Sequence, residues 1–270
     1  MKKKNWNGFL IAGCVLTGVL VALMLLGKFW TPWSPTAMDA KAMYQPPSLT
    51  HLFGTDKFGR DIFSRVMQGG GTTLTIALAT VAIGAALGTL VGAVTGYFGG
   101  IVDDALMRFN DALTAFPSIL LALLIISLVG PGKYNVVLAL GIVFIPSFAR
   151  VMRTQFASLR DVNYITSARL MGAGQLRIMT VHMLPNTMRT LLPALTIGFN
   201  NAVLAEASMS YLGIGVTPPD ASLGNMLRDA QSALGRAPWY AILTGMMIAL
   251  LVFGVGLIGE GLQKRDQEVD

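Results

Sequence analysis

Charged side chains are scarce in this sequence. Asp, Glu, Lys and Arg make up 13% of its 270 residues and 53% are hydrophobic, whereas soluble domains carry about 25% charged residues. With a mean hydropathy of +0.61, this composition excludes an ordinary soluble domain and indicates an integral membrane protein. The net charge of +6 does not call for a nucleic-acid partner, because membrane proteins collect Lys and Arg in their cytoplasmic loops.

Cysteine and histidine are almost absent. The single cysteine, Cys14, cannot form an internal disulfide, and it lies in an apolar run. The two histidines, His51 and His182, have no cysteine or histidine neighbour at metal-ligand spacing. We therefore expect no structural metal site and no cofactor.

A phosphate-binding loop of the pattern G-x-x-x-x-G-K-[ST] is also missing. The nearest approach is Gly132-Lys133, but Ser127 stands at the first glycine position and Tyr134 follows the lysine. The chain is therefore not expected to bind ATP through such a loop.

Long apolar runs, by contrast, are frequent. A bilayer core needs about 20 mostly apolar residues per helix, and six segments meet this requirement. The predicted spans are about Phe9–Gly27, Thr72–Phe98, Ala112–Gly130, Tyr134–Met152, Leu191–Ile214 and Trp239–Gly261. The first could instead be a signal peptide, but its apolar run is too long and no clear cleavage site follows, which favours an uncleaved helix. Pro146 interrupts the fourth, and membrane helices tolerate this.

The distribution of Lys and Arg predicts cytoplasmic N- and C-termini. With this orientation the inner side holds Lys2, Lys3, Lys4, Arg108, Arg150, Arg153, Arg160, Arg169, Arg177, Arg189, Lys264 and Arg265. The outer side holds the smaller set Lys28, Lys41, Lys57, Arg60, Arg65, Lys133, Arg228 and Arg236. The loop from Arg150 to Thr190 contains a single acid, Asp161, beside its arginines, so this loop is predicted to be cytoplasmic.

Glycines recur every fourth residue in the second span. Gly84, Gly88, Gly92 and Gly96 share one helix face, and this spacing predicts that another helix approaches closely there.

The segment Thr31–Gly71 is too long for a tight turn and is predicted to cover the outer mouth. Within it, acids and bases alternate over Leu52–Arg65. This alternation predicts a fixed turn and a helix start on a solvated, self-paired surface.

Ionisable groups inside spans mark ion-coupled transport, and only Glu206 qualifies clearly here, with Asn200 and Asn201 about two turns earlier. Two interpretations remain open. Glu206 either lines a transport path, or it has a structural role, hydrogen-bonded within the bundle or close to the outer water boundary. A lone ion-coupled secondary transporter would depend on Glu206.

An intramembrane serine enzyme would need a serine and a histidine at matching depth. Ser208 and Ser210 lie in the fifth predicted span, whereas both histidines lie in loops. This pairing fails, so no catalytic residue is assigned.

The central loop reads as two short helices. Tyr164–Met171 can form the first, Gly172 breaks it, and Gln175–Met183 can form the second, which Pro185 is expected to end. In the second helix, apolar residues recur at helical spacing, namely Leu176, Met179 and Met183. Such a protrusion can insert into a groove on a soluble partner, or it can lie on anionic lipid.

The motif Thr166-Ser167-Ala168-x-x-x-Gly172 with His182-x-x-Pro185 resembles the EAA loop of bacterial ABC-importer permeases. Further stretches resemble the second of the two paralogous permeases of the dipeptide, oligopeptide and nickel group. These stretches are "GTDKFGRDIFSR", "GYFGGIVDDALMRFNDALTAFPS", "YLGIGVTPP" and "LGNMLRDA".

The resemblance implies an all-α membrane protein with the type I ABC importer permease fold and six transmembrane helices in a bacterial inner membrane. Implied partners are a paralogous permease in a heterodimer, two cytoplasmic ABC ATPase subunits, an extracytoplasmic solute-binding protein and membrane lipid. ATP hydrolysis would reside on the ATPases, so this subunit would not be an enzyme. Residues 1–71 would form the N-terminal helix and outer loop, and 72–270 the permease core with a coupling loop at about 153–190.

The resemblance also implies which residues face the ATPase. They are Thr166, Ser167, Ala168, Leu170, Gly172, Ala173, Leu176, Arg177, His182 and Pro185. The chain departs from the family where Thr166 and Ser167 replace the usual glutamate and first alanine, which puts an acidic contact to the ATPase in doubt. The substrate stays open between short peptides and a nickel species. Cys14 and Glu206 are the only candidate metal ligands well inside the predicted spans. This scarcity favours a peptide substrate over a nickel species.

Overall fold

The computed structural model describes residues 7–267, and over that range the chain is helical apart from connecting segments and one isolated bridge between Thr55 and Asp61. The helices are α1 Gly8–Leu26, α2 Ile62–Phe98, α3 Gly100–Thr114, α4 Ser118–Val129, α5 Lys133–Leu159, α6 Asn163–Leu170, α7 Gln175–Arg177, α8 Leu184–Tyr211, α9 Leu223–Gln231 and α10 Pro238–Gln267. A 3₁₀ turn covers Ala40–Ala42, and a π-helical segment, Ile178–Met183, joins α7 to α8. The predicted inner-side lysines Lys2, Lys3 and Lys4 lie outside the described residues.

Four described helices are long and apolar enough to cross a membrane, namely α1, α2, α5 and α10. The pair α3 and α4 is bent by 87° and raises this number to five if the pair is one span. The remaining predicted span, Leu191–Ile214, lies largely in α8. This helix has 28 residues, but the polar Asn200, Asn201 and Glu206 in its middle lower its hydropathy.

The predicted third span, Ala112–Gly130, is not one straight helix. The chain turns between Thr114 and Ser118, so the segment divides into the end of α3 and the 12 residues of α4. Pro117 explains the break, because it has no N–H to donate and disfavours a helical conformation at the preceding Phe116.

Helix α2 begins at Ile62, ten residues before the predicted start at Thr72, so the outer segment is shorter than expected. The run Gly69-Gly70-Gly71 was expected to belong to that segment, but it continues the helix. It is buried, and a Cβ added at Gly70 would lie 2.7 Å from Cγ of Met24 in α1. Gly70 and Gly71 therefore allow α1 to approach closely, while Gly69 faces Met226 and Ser222 at the start of α9.

The prediction of close packing at the glycine stripe is confirmed, and the partner is α5. A Cβ at Gly88 would lie 2.6 Å from Cβ of Phe148, and one at Gly96 would lie 2.7 Å from Cβ of Phe156. Real side chains would not fit there, so α2 and α5 form the closely packed centre of the bundle.

The predicted turn in the outer segment is present. The Asp56 carboxylate accepts from the backbone N–H groups of Phe58 and Arg60 at 2.8 and 3.0 Å and from Arg60 Nε at 2.7 Å. Asp61 caps α2 by accepting from the Ser64 N–H at 2.7 Å. The expectation of a solvated surface is wrong, because Asp56 and Asp61 are 1% and 4% exposed. The segment packs on α9, where Asp229 lies 3.8 Å from Arg60.

Candidate functional site

The loop between α5 and α8 protrudes as two short helices with a sharp turn. Helix α6, Asn163–Leu170, matches the predicted first helix to within a residue at each end. Gly172 has φ +83°, and an added Cβ there would meet nothing within 4 Å. The turn therefore needs glycine for its left-handed backbone and not for lack of space.

Large apolar side chains stand exposed at this turn. Leu170, Met171 and Leu176 are 84%, 82% and 75% exposed, and we call these three residues the tip. The predicted apolar stripe is only partly correct, since Leu176 reaches the tip whereas Met183 is fully buried and Met179 packs against the core.

The second helix does not end at Pro185. The π-helical segment leads directly into α8, and the Leu184 N–H donates to the Met179 carbonyl five residues earlier. This bond spans one residue more than an α-helical bond, and the helix continues through Pro185 as it does through Pro193 further along α8. Residues 175–211 therefore form one continuous helical element about 55 Å long.

The base of the loop is anchored by buried side chains. Ala168 is buried with Ile165 and Ile178, while Thr166 and Ser167 are exposed. The third motif position thus faces inwards, where a small residue is needed, and the two positions that depart from the family pattern face outwards. Their replacement leaves the base of the loop intact.

The remaining predicted loop residues lie on the outside of the protrusion or beside it. Arg177 and Pro185 are exposed, whereas Ala173 and His182 are half-buried. Ala173 borders a cavity of about 400 Å³ together with Arg160, Arg169 and Gln175. The surroundings of the tip are therefore basic.

The second group of predicted site residues lies on different faces of α8. Glu206 is fully buried, and its carboxylate accepts from Thr73 Oγ1 at 2.9 Å and from Ser210 Oγ at 2.7 Å. Thr73 Oγ1 in turn accepts from the Leu223 N–H at 3.1 Å, and Ser210 Oγ accepts from the Val216 N–H at 3.0 Å. Of the two interpretations of Glu206, this geometry corresponds to hydrogen bonding within the bundle, where Glu206 joins α2, α8 and the start of α9.

The two asparagines point away from Glu206 and from each other. Asn200 is partly buried against α10, close to Gly256, and its Oδ1 has no hydrogen-bond partner. Asn201 is exposed on the opposite side, facing α5, and lines a cavity there. The structure thus separates three polar residues that the sequence placed together.

Two features of this region were not predicted from the sequence. One is the π-helical segment, because Pro185 was expected to end the helix that this segment continues. The other is α9, whose start is fixed by a capping box between Ser222 and Asn225, with hydrogen bonds of 2.9 and 3.3 Å. The spacing Ser-x-x-Asn resembles the known capping pattern and could have indicated it. Within residues 7–267 no group of three or more His, Cys, Asp or Glu could hold a metal.

Residues 88–265 match the family of binding-protein-dependent transport system inner membrane components, and the chain belongs to this family. It is a multi-pass membrane protein.

Curated relatives match over nearly the whole chain. A Brucella suis biovar 1 (strain 1330) protein with the provisional name peptide transport system permease is 41% identical over 251 residues, covering 93% of this chain and 84% of its own. The dipeptide transport system permease protein DppC of Haemophilus influenzae is 34% identical over 266 residues, covering 96% and 90%.

Solved structures support the fold alone. The inward-facing MetNI methionine ABC transporter is 20% identical, with a TM-score of 0.59 over 74% of this chain and 94% of that one. An amino acid ABC transporter is 19% identical, with a TM-score of 0.58 over 74% and 94%. The all-α ABC importer permease fold expected from the sequence is confirmed.

Proposed function

We propose that this chain is one of two paralogous permeases of an ATP-driven importer of short peptides. The peptide assignment is supported by the names of its relatives at 34% and 41% identity. The observation that carries the importer mechanism is the tip, because Leu170, Met171 and Leu176 stand exposed on a well-anchored base. Exposed apolar anchors of this kind are suited to a groove on a partner.

The proposed partner at the tip is a cytoplasmic ABC ATPase subunit, one of two in the complex. Closure of the two ATPases on ATP moves the tip, and the helical element of residues 175–211 carries this motion into the bundle. There Glu206 joins α8 to α2 and α9 through buried hydrogen bonds, so the three elements move together. The bundle then alternates between outward- and inward-facing states, with ATP shifting the population.

In this proposal the termini and the tip are cytoplasmic, and the segment before Ile62 covers the outer mouth of the permease core, which begins with α2. The outer face receives peptide from an extracytoplasmic solute-binding protein. Hydrolysis of ATP belongs to the ATPases, and this subunit performs no chemistry on the substrate. The nickel alternative rests on the resemblance alone, and an ion-coupled mechanism lacks a second acid beside Glu206 in α8.

The docking proposal is tested by changing the tip. Leu176→Asp places a charge where an apolar groove is expected, and it should abolish co-purification with the tagged ATPase and substrate-stimulated ATP hydrolysis. Leu49→Asp is the matched control for co-purification, since Leu49 is 99% exposed in the segment before α2. Normal assembly and ATP hydrolysis in Leu176→Asp would refute docking through the tip.

A further inference from the structure

Two cavities follow one another between α5 and α8. The larger, of about 360 Å³, extends to Leu140 on α5 and Ser208 on α8. The smaller, of about 150 Å³, extends to Val151 and Ala194. They share the side chains Phe144, Ser147 and Asn201 in their walls. Together they form one groove, which we call the α5–α8 groove.

The groove runs along the helices and not across them. From Leu140 to Val151 the rise along α5 is about 16 Å, and from Ala194 to Ser208 along α8 it is about 21 Å. A bilayer core is about 30 Å thick, so the groove follows more than half of a transmembrane crossing. Its volume falls within the range of about 300–1,000 Å³ that small-molecule sites occupy.

Uncharged polar groups are exposed along this groove. Ser118, Ser147 and Asn201 are exposed, and within residues 7–267 their side chains form no hydrogen bond with the chain. Ser208 donates to the Leu204 carbonyl at 2.7 Å, which leaves its oxygen free to accept. A carboxamide facing hydrocarbon without a partner is costly, so lipid is a poor neighbour for this face.

The lining also excludes some occupants by its chemistry. None of the residues that line the two cavities carries a charge, and none is a histidine or cysteine, so a bare metal ion finds no strong ligand there. A carboxamide, by contrast, offers both a donor and an acceptor, which matches the N–H and C=O of a peptide bond. Apolar neighbours such as Phe144 and Leu204 can accommodate side chains of differing size.

We propose that the α5–α8 groove is a peptide-binding segment of the transport path, in which Asn201 hydrogen-bonds the peptide backbone and Ser147 and Ser208 assist. The proposal rests on the proposed function as a peptide importer and adds what is recognised within the membrane. Recognition is directed at the peptide bond and tolerates different side chains. The exposed position of Asn201 between two apolar α8 residues, Ile197 and Leu204, makes it the central contact.

The test uses the complete importer reconstituted in liposomes with saturating, peptide-loaded binding protein. Asn201→Leu keeps the side chain's size but removes its amide. We expect peptide delivered per ATP hydrolysed to fall about threefold to tenfold, the range that one hydrogen bond represents. Asn201→Gln should restore part of the loss. Ser127→Ala is the matched control, because Ser127 is an exposed hydroxyl on α4 that lines neither cavity.

A dipeptide with an N-methylated peptide bond tests whether the importer recognises the peptide N–H, because methylation removes this donor. The wild-type importer should deliver it less efficiently than the parent dipeptide, and Asn201→Leu should lose this discrimination. Unchanged delivery per ATP in Asn201→Leu, or retained discrimination, overturns the proposal. Loss of co-purification between the two permeases in Asn201→Leu also overturns it, because the groove would then be a subunit interface. An intact wild-type complex that delivers no peptide would instead refute the proposed function.

Discussion

The close packing of α2 on α5 allows a quantitative prediction for Gly88→Ala. The added Cβ would lie 2.6 Å from Phe148 Cβ, 2.7 Å from the Ile145 carbonyl oxygen and 2.9 Å from the Ala149 nitrogen. Ordinary contacts begin at about 3.5 Å, so the helices must separate by several tenths of an ångström or more. Two of the three neighbours are backbone atoms and cannot rotate away. Overpacking of this kind costs about 1–3 kcal/mol.

Gly18→Ala in α1 is the control, because an added Cβ at Gly18 meets nothing within 4 Å. This substitution should stabilise the chain by about 0.5–1 kcal/mol through the better helix propensity of alanine. The two variants should therefore differ by about 1.5–4 kcal/mol in equilibrium unfolding with SDS in mixed micelles. Equal unfolding free energies, or a more stable Gly88→Ala, would refute the packing argument.

Four further predictions follow from the loop and from buried or paired charges. Gly172→Ala should weaken ATPase co-purification, because alanine at φ +83° is strained by about 1–2 kcal/mol. Gly174→Ala is the control and should not weaken it, since Gly174 has φ −66°. Equal co-purification of the two variants would contradict the role of the turn. Glu206→Ala should destabilise the bundle by about 2–5 kcal/mol, since it leaves the buried hydroxyls of Thr73 and Ser210 without their acceptor, and unfolding measurements check this. Glu206→Gln should keep ATP-driven uptake, and its complete loss without loss of folding would favour ion coupling through Glu206. Arg153 on α5 donates two hydrogen bonds of 2.6 Å to the Asp103 carboxylate on α3. A double-mutant cycle on this pair should therefore yield a coupling energy of about 1 kcal/mol. A coupling energy near zero would contradict a stabilising ion pair.

The apolar runs and the glycine period predicted the bundle well, because both signals are local and repeated over many residues. Gly88 and its three companions indicated a close helix contact, but only the structure identifies α5 as the partner. Likewise the run Gly69–Gly71 looked like a helix boundary, whereas its burial against α1 and the start of α9 stabilises the helix there. A neighbour's contribution of this kind cannot be read from a single segment.

For the site, the sequence indicated the protruding loop and its glycine turn correctly. It failed at Pro185, because a proline does not always end a membrane helix: here the helix continues from a π-helical turn, and Pro146 and Pro193 lie inside α5 and α8. It also grouped Asn200, Asn201 and Glu206, since they are close in the chain. Adjacent helical residues are rotated by about 100°, so these three side chains face α10, α5 and α2 respectively.

Because α3 and α4 are bent by 87°, the apolar surface on this side of the subunit is short along the membrane normal. The 12 residues of α4 rise only about 18 Å, against a hydrocarbon thickness of about 30 Å. Helix α3 cannot supply the missing height easily, because it carries Asp103, Asp104, Arg108 and Asp111. Acyl chains beside α4 must therefore compress or tilt, or another subunit must shield it, whereas α1, α2, α5 and α10 impose no such mismatch. Where lipid and not another subunit covers α4, a thicker bilayer would strain this protein at that edge first.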